Sequence, residues 1–450
     1  MKDAAFFEFT DRLTQSLVGD EVLLCNLDGE DSDFVRLNGN RVRQAGGLCA
    51  WNLRLDLIQG RRQAQAHCDL SGDLDEDLAR ARGLIERLRE RLPTIPDDPF
   101  LNYSIEPSAS HRVLDGGGAG AEGHGAVDAW DSTAVIADLS RAAEGLDLVG
   151  IWASGELSAG FASSLGHRHW HASRSFNLDF SCYLKGDKAV KANLSGLAWD
   201  PQALAAKLAG VRRDLEILAR PARAILPGRY RAYLAPAAVM EILDLLAWGG
   251  FGLKDHQTAQ TPLLRLVRGE RHLDPRITLR EEHARGLAPR FTAEGFVTPE
   301  AVTLIANRGF QDCLVDSRSA KEYGQAVNAA GESPAALALD PGDIASAAIP
   351  SRLDTGLAIS NLWYLNYADR NDCRITGMTR FATFWVENGE PVAPVTPMRF
   401  DDSLYHLLGD RLEGLTSERE FLVSAETYEG RSSASALLPG ILVSGIELAL

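Results

Sequence analysis

Residues 176–184 limit the fold more than any other stretch of this chain, because apolar and polar side chains alternate along them. The apolar positions are Phe176, Leu178, Phe180, Cys182 and Leu184. Successive side chains of a β-strand point to opposite faces of a sheet, so this spacing puts the apolar set on one face. The pattern predicts a strand of an antiparallel sheet that has one buried and one solvated face.

The region 21–60 is also rich in segments that read as strands. They are EVLLCNL, DFVRLNGNRVRQAG and LCAWNLRLDLIQG. Asn38-Gly39 lies between two such runs, and this dipeptide is typical of the type I′ turn of a two-residue β-hairpin. The sequence therefore predicts a hairpin that turns at Asn38-Gly39.

Three segments of the first half have the apolar spacing of amphipathic helices. Their apolar stripes are Phe6, Phe9, Leu13 and Leu17; then Leu78, Ala81, Ile85, Leu88 and Leu92; and then Leu204, Leu208, Val211, Leu215 and Leu218. Pro93 should end the second helix, and Asp200-Pro201 has the residue types of an N-cap and a first helical position. We also expect a helix from about Ser132 to Leu146.

The chain has 450 residues, which is enough for two or three domains with separate cores. The segment ARPARAILPGRY reads as a connector, so we place an N-terminal domain at 1–225 and a C-terminal domain at 226–450. After the connector come a strand, the apolar helix AAVMEILDLLAWGG, and mostly strands and turns. We expect an α+β fold, in which a domain of helices and antiparallel sheet is followed by a β-rich domain.

Charge and cysteine content exclude several classes of function. The net charge is −16, which argues against a nucleic-acid surface and against binding to an anionic membrane. No apolar run reaches the roughly 18 residues of a membrane span, and the first residues lack the apolar core of a signal peptide. The six cysteines are scattered, without a CxxC pair. These features predict a cytoplasmic protein with reduced thiols.

The stretch GHRHWHAS, residues 166–173, raises the question of a metal site. On a strand, His167, His169 and His171 share one face, and the outer two α-carbons lie ~13 Å apart. One zinc ion, with Zn–N distances near ~2.0 Å, could bind adjacent members but not all three. A site would need a further ligand from elsewhere. We expect a polar strand face, near a subunit surface, rather than a metal site.

Other patterns that could carry chemistry are weak. The run GGGAG at 116–120 lacks a preceding apolar strand and a GK[ST] ending, so it predicts a mobile loop rather than a phosphate site. The sequence contains neither a GxSxG elbow nor an HExxH motif.

Longer blocks of sequence carry more information. Three blocks of this sequence resemble the TldD/PmbA (TldE) family. They are SDFVRLNGNRVRQAG, then ANRGFQDCLVDSRSAKEYG (306–324), and then the block 361–400 with its TGMTR and ENG motifs. Members of this family are also described as modulators of DNA gyrase. Within the last block, Asn388-Gly389 predicts a tight turn and Gly377 a close backbone approach. The resemblance extends over essentially the whole chain.

The resemblance implies a zinc-dependent peptidase assembly, a dimer that encloses a chamber for short or unfolded polypeptides. In the catalytic type, an HExxxH helix supplies two imidazoles and a glutamate base, and a C-terminal cysteine supplies the third ligand. Here the corresponding helix is AAVMEILDLLAWGG, which has Glu241 and Asp244 but no histidine. His256 stands alone nearby, and no cysteine follows Cys373. We therefore assign no catalytic residue, metal ligand or cofactor to this chain.

This departure resembles the PmbA/TldE type of subunit, for which zinc is expected in a catalytic HExxxH-bearing partner. The expected partners are a TldD-like subunit in a heterodimer, or a second copy, together with peptide substrates. We take Trp363, Tyr364, Tyr367 and Arg380 as candidates for a substrate groove, although filling the core is the commoner role of such aromatic residues. Two alternatives are a homodimeric peptide-binding or regulatory protein, and a zinc enzyme that uses two of the three strand histidines.

Overall fold

The computed structural model describes residues 1–115 and 131–449. The GGGAG run lies outside these residues. Among the described helices, none is long and apolar enough to cross a membrane.

Strands of the first half form one seven-stranded sheet. They are β1 (Val22–Asn38), β2 (Arg41–Gln59), β3 (Arg62–Asp69), β4 (Ala109–Leu114), β5 (Asp147–Ser163), β6 (Arg168–Lys185) and β7 (Lys188–Gly196). Their order is β3-β2-β1-β5-β6-β4, with β7 also paired to β6. Every pairing is antiparallel except that of β4 with β6. The alternating stretch lies in β6, where its apolar residues are buried apart from Leu184.

The predicted hairpin connects β1 and β2, but its turn lies one residue later than expected. Asn38 pairs with Arg41, so Gly39 and Asn40 are the two central residues, with φ of +58° and +56°. Glycine and asparagine both tolerate this left-handed region, which is why the dipeptide alone does not fix the register. The turn predicted at Asn388-Gly389 is confirmed, with φ of +53° and +78°.

Four helices of the first half cover one face of this sheet. They are α1 (Asp3–Thr14), α2 (Leu74–Arg91), α3 (Ser132–Ala142) and α4 (Pro201–Leu218). Helices α1 and α2 share one apolar cluster with the sheet, and α3 and α4 share another, which contains Trp152 and Phe176. The Asp200 side chain accepts a hydrogen bond from Gln202 N, so the predicted N-cap of α4 is confirmed.

Strands of the second half form an eleven-stranded sheet. They are β8 (Gly228–Leu234), β9 (Leu279–Glu281), β10 (Val302–Ala306), β11 (Gly309–Phe310), β12 (Ala336–Leu339), β13 (Gly356–Asp369), β14 (Arg374–Glu387), β15 (Glu390–Pro394), β16 (Arg399–Ser403), β17 (Leu412–Val423) and β18 (Ser435–Ala449). The order is β11-β10-β9-β12-β18-β16-β14-β13-β8, and β15 and β17 pair with β14 and β18. Strand β8 pairs with both β13 and β18, so five strands form a closed ring.

Five of the described α-helices belong to the second half. They are α5 (Pro236–Ala247), α6 (Leu253–Gln257), α7 (Leu264–Val267), α8 (Ser317–Tyr323) and α9 (Ile349–Leu353). The largest core cluster of the described residues lies between α5 and the sheet. Gly377 faces Phe400 across β14 and β16, and a Cβ at Gly377 would lie 2.8 Å from that ring, as the predicted close approach requires.

The architecture is the expected α+β arrangement, a helix-covered antiparallel sheet followed by a β-rich half. The two halves are not independent in their packing, because Ala382 and Phe384 of β14 join the apolar cluster of α3 and α4. The division at 225/226 stays a prediction.

Candidate functional site

A cavity of about 630 Å³ lies where the two halves meet, between α4 and β7 on one side and α5 on the other. Helix α5 starts directly after β8, with Pro236 at its first position, and Ala235 N donates a 3.0 Å hydrogen bond to Ile359 O of β13. These features fix α5 against the ring of strands. The residues from β17 to the start of β18 close another part of the wall.

Helix α5 has two distinct faces. Its apolar face is buried in the core of the second half and consists of Ala238, Val239, Ile242, Leu243, Leu245 and Leu246. Glu241 and Asp244 lie three residues apart, hence on one face of the helix, and both line the cavity. Both residues are exposed to the solvent of the cavity.

The walls raise the pKa values of three carboxyl groups. Desolvation, helped by the charge of Glu241, raises the pKa of Asp244 to about 6. Desolvation likewise raises the pKa of Asp214 on α4 to about 6, against a smaller opposing effect of Arg213. The pKa of Glu241 is also raised by desolvation, and Lys191 partly opposes this change.

Two further carboxylates of the cavity are paired. Lys191 lies 3.4 Å from Asp179, and Lys207 lies 3.1 Å from Glu420. Among residues 1–115 and 131–449, the other four cavity carboxylates have no ion-pair partner within 4.0 Å. These four are Asp214, Glu241, Asp244 and Glu426.

Neutral polar groups also line the cavity. Asn361 of β13 is only 8% exposed, and its side-chain amide has no hydrogen-bond partner in the described part of the chain. The Oγ of Ser360 and the Oδ1 of Asn193 are likewise buried without a partner. Buried polar atoms are normally hydrogen-bonded, so the Ser360 and Asn193 oxygens mark a place where a ligand or water could bind, beside the Asn361 amide.

The zinc ion implied by the family resemblance does not fit this wall. A catalytic zinc site needs three protein ligands, commonly imidazoles or a thiolate. Helix α5 offers only the carboxylates of Glu241 and Asp244, and the residues that the structure describes contain no group of three or more His, Cys, Asp or Glu side chains placed to bind one metal ion. His256 does not contribute, since its Nε2 donates to Gly250 O at 2.8 Å.

The three strand histidines are deeply buried. His167 directly precedes β6, His169 and His171 belong to it, and their exposed fractions are 0%, 0% and 2%. They share one face, as predicted, but the expectation of a position near a subunit surface is wrong. This face packs against the second half, where the ring of Phe291 stacks on His169 with a centroid distance of 5.2 Å.

Hydrogen bonds within the chain occupy most of the imidazole nitrogens. Both nitrogens of His169 are bonded to serine hydroxyls, those of Ser108 at 3.0 Å and Ser110 at 2.8 Å. His171 Nε2 donates to Leu287 O at 2.8 Å, and only its Nδ1 lacks a partner in the structure as described. Burial lowers the pKa of both imidazoles to about 4, and this pattern favours a structural role over metal binding.

Both ring nitrogens of His167 are also hydrogen-bonded within the chain. Its Nδ1 is bonded to Ser163 Oγ at 2.7 Å and its Nε2 to Ser104 Oγ at 3.0 Å. Desolvation lowers its pKa as well.

Of the four groove candidates, Trp363, Tyr364 and Arg380 contact one another, and none of the four lines the cavity. Trp363 and Tyr364 are 45% and 78% exposed, and the Arg380 guanidinium lies 4.5 Å from the Trp363 ring centre. Tyr367 is partly buried, and its hydroxyl donates to Leu245 O at the end of α5. A role of these residues in binding substrate stays a prediction.

The sequence reasoning missed the residues that complete the cavity. Asn193, Asp214 and Ser360 come from β7, α4 and β13, and no local motif connects them. Only Asn361 had a signal, because it begins the family-like block 361–400.

A sequence profile described as the PmbA/TldA metallopeptidase C-terminal domain matches residues 227–450. Comparison with curated proteins gave no significant sequence match.

Solved structures with the same fold cover almost the whole chain. TldE from Thermococcus kodakarensis superimposes with a TM-score of 0.76 at 14% identity, covering 99% of this chain and 100% of that one. Proposed DNA gyrase modulators from Thermotoga maritima and Bacteroides thetaiotaomicron give TM-scores of 0.75 and 0.72 at 15% and 16% identity. They too align with 99% of this chain, and with 100% and 98% of their own. With its fold and its C-terminal half both of this type, the chain belongs to the TldD/PmbA family.

Proposed function

We propose that this chain is a PmbA/TldE-like subunit of a cytoplasmic, zinc-dependent peptidase complex. In this proposal it binds short or unfolded peptides, while an HExxxH-bearing TldD-like partner holds the zinc. The observation that carries the proposal is helix α5. By the sequence resemblance it is the counterpart of the metal helix, and it lines the cavity with Glu241 and Asp244 instead of two imidazoles.

The cavity supports a role in binding peptides. Its volume of about 630 Å³ is within the usual range of ligand sites, and its walls combine apolar side chains with a few unpaired polar atoms. Extended peptides need both kinds of contact, because their main chain must exchange hydrogen bonds with the site. We infer that this chain contributes substrate binding and an interface, and that the bond-breaking step belongs to the partner.

Metal analysis and a peptidase assay test the proposal together. The purified chain should hold no stoichiometric zinc and should leave an unfolded reporter peptide intact. Adding an HExxxH-bearing relative from the same source should produce cleavage faster than that relative gives alone. One bound zinc per chain, with cleavage by the isolated chain, would reject the assignment.

A second candidate is a homodimeric peptide-binding or regulatory protein. It is supported by the lining of the cavity, to which both halves of this chain contribute side chains. Peptide binding without any gain in cleavage on adding the HExxxH relative would support this candidate over the first.

A further inference from the structure

We propose that the cavity between α4 and α5 selects basic peptides, holding a lysine or arginine side chain against Glu241 and Asp244 of α5, while Asp214 of α4 adds negative charge to the facing wall. This inference rests on the proposed peptide-binding role and adds the class of substrate to it.

The charges of the cavity favour a cation. Six carboxylates and two ammonium groups line it among the described residues, and the two lysines are already paired with Asp179 and Glu420. The other four, Asp214, Glu241, Asp244 and Glu426, have no ion-pair partner among the described residues, so the lining carries a net negative charge. A ligand carboxylate or phosphate would meet repulsion there, whereas an ammonium or guanidinium would be attracted.

Orphaned polar atoms point independently to a ligand that also carries amide groups. The Asn361 side chain is more than nine-tenths buried, lines the cavity and makes no hydrogen bond in the described part of the chain. Asn193 donates to Asn177 Oδ1 at 2.6 Å, which leaves its own Oδ1 as an acceptor without a partner. Leaving such groups unpaired is costly, and the N–H and C=O groups of a peptide main chain would satisfy them.

The apolar part of the wall distinguishes an organic cation from a metal ion. Val190, Val211, Met240, Leu337 and Leu422 line the same cavity. The methylene stem of lysine or arginine packs on such surfaces while its head remains among charged groups. A small divalent ion gains nothing from these side chains.

The site should respond to pH. Binding a cation favours the ionised carboxyl groups, and the pKa values of Asp214 and Asp244 are about 6. Affinity should therefore be full above pH 7 and fall as the pH drops through 6. The other charged groups facing the cavity are Asp179, Lys191, Lys207, Glu241, Glu420 and Glu426.

The experiment is a titration of the full chain with fluorescein-labelled octapeptides at pH 7.5, read by fluorescence anisotropy. One peptide carries two lysines, a second replaces them with glutamine, and a third replaces them with glutamate. The lysine peptide should bind at least about tenfold more tightly than the glutamine peptide, and the glutamate peptide should bind most weakly. Spermidine as competitor represents a free polyamine and should displace the lysine peptide only at high excess.

A double variant, Glu241→Gln with Asp244→Asn, should remove the preference for lysine while keeping the glutamine peptide's affinity. The matched control is Glu216→Gln, which removes a charge from the exposed side of α4 without touching the cavity. It tests for general attraction to a protein of net charge −16. Thermal unfolding followed by circular dichroism checks that both variants fold.

Equal binding of the three peptides, or a preference for lysine that survives the double variant, would overturn the inference. Tight binding of spermidine without binding of the lysine peptide would overturn the assignment to peptides. Failure here is separable from failure of the proposed function, because zinc content and partner-dependent cleavage are measured independently of charge preference.

Discussion

The buried histidines should make this protein sensitive to mild acid. A histidine whose pKa falls from 6.5 in the unfolded chain to about 4 in the folded chain takes up its proton more readily when unfolded. Its contribution to stability is therefore complete above pH 6.5 and is lost as the pH falls from 6.5 towards 4. His169 and His171 both behave in this way.

The magnitude follows from the shift. Between pH 7 and pH 5, one such imidazole lowers the free energy of unfolding by about 2 kcal/mol, and the two together by about 4 kcal/mol. Carboxyl groups whose pKa values are raised act in the opposite direction, because they let the folded state bind more protons. Asp214, Asp244 and Glu281, with pKa values of about 6, 6 and 7, are the main examples.

A variant comparison isolates the histidines from those carboxyl groups. Free energies of unfolding are measured by urea denaturation at pH 7 and pH 5 for the wild type and for the double variant His169→Gln, His171→Gln. The double variant will be less stable at pH 7, because hydrogen bonds to Ser108 and Ser110 are lost. When the pH falls from 7 to 5, however, the free energy of unfolding of the double variant should fall by about 4 kcal/mol less than that of the wild type.

The exposed His272 supplies the control, as His272→Gln should leave the pH dependence of the wild type unaltered. If the double variant and the wild type changed by the same amount between pH 7 and pH 5, these imidazoles would not be buried in neutral form. The histidine face of β6 would then be solvated rather than packed dry against the second half.

Three further predictions concern stability, each read from urea denaturation at pH 7. Gly155→Ala should lower the free energy of unfolding by at least about 2 kcal/mol, because φ is +144° and a Cβ would overlap the Asp31 carbonyl oxygen. Its control is Gly186→Ala, at φ +61° in open space, which should lower it by only about 1 kcal/mol. Equal losses for the two variants would contradict the steric reasoning. Asp200→Ala removes the N-cap of α4 and should cost about 1 kcal/mol, whereas Asp200→Ser should restore most of the loss. Arg431→Met should lower the free energy of unfolding by about 3 kcal/mol, since the guanidinium donates hydrogen bonds to Gly155 O and Ser175 O across the two halves. An unchanged urea midpoint would mean that these carbonyl groups are solvated.

Local signals predicted local structure well. Asp200-Pro201 identified the start of α4 because capping depends only on residues within one turn. Asn388-Gly389 identified a turn for the same reason, and the alternation in 176–184 identified β6. The hairpin at Gly39 and Asn40 shows the limit of such signals, because three consecutive residues could each adopt a turn conformation and strand pairing selected the pair.

The burial of the histidines could not be predicted from the motif. Their hydroxyl partners come from Ser104, Ser108, Ser110 and Ser163, and the covering ring comes from Phe291. The cavity is a similar case, because residues from α4, α5, β7 and β13 meet only after the two halves pack. Sequence could indicate which helix corresponds to the family's metal helix, but not which side chains would surround it.

The closed ring of the second half has a consequence for biosynthesis. Strand β18 pairs with β8, β12, β16 and β17. Its pairing of Ile441 with Leu234 of β8 joins the last strand of the second half to the first. A ribosome-bound chain that has emerged only as far as β17 therefore exposes the edges of strands that await their partner. Exposed strand edges of this kind promote aggregation. The described strands of the first half are all synthesised much earlier, so the second sheet is the one that stays unclosed until β18 is available.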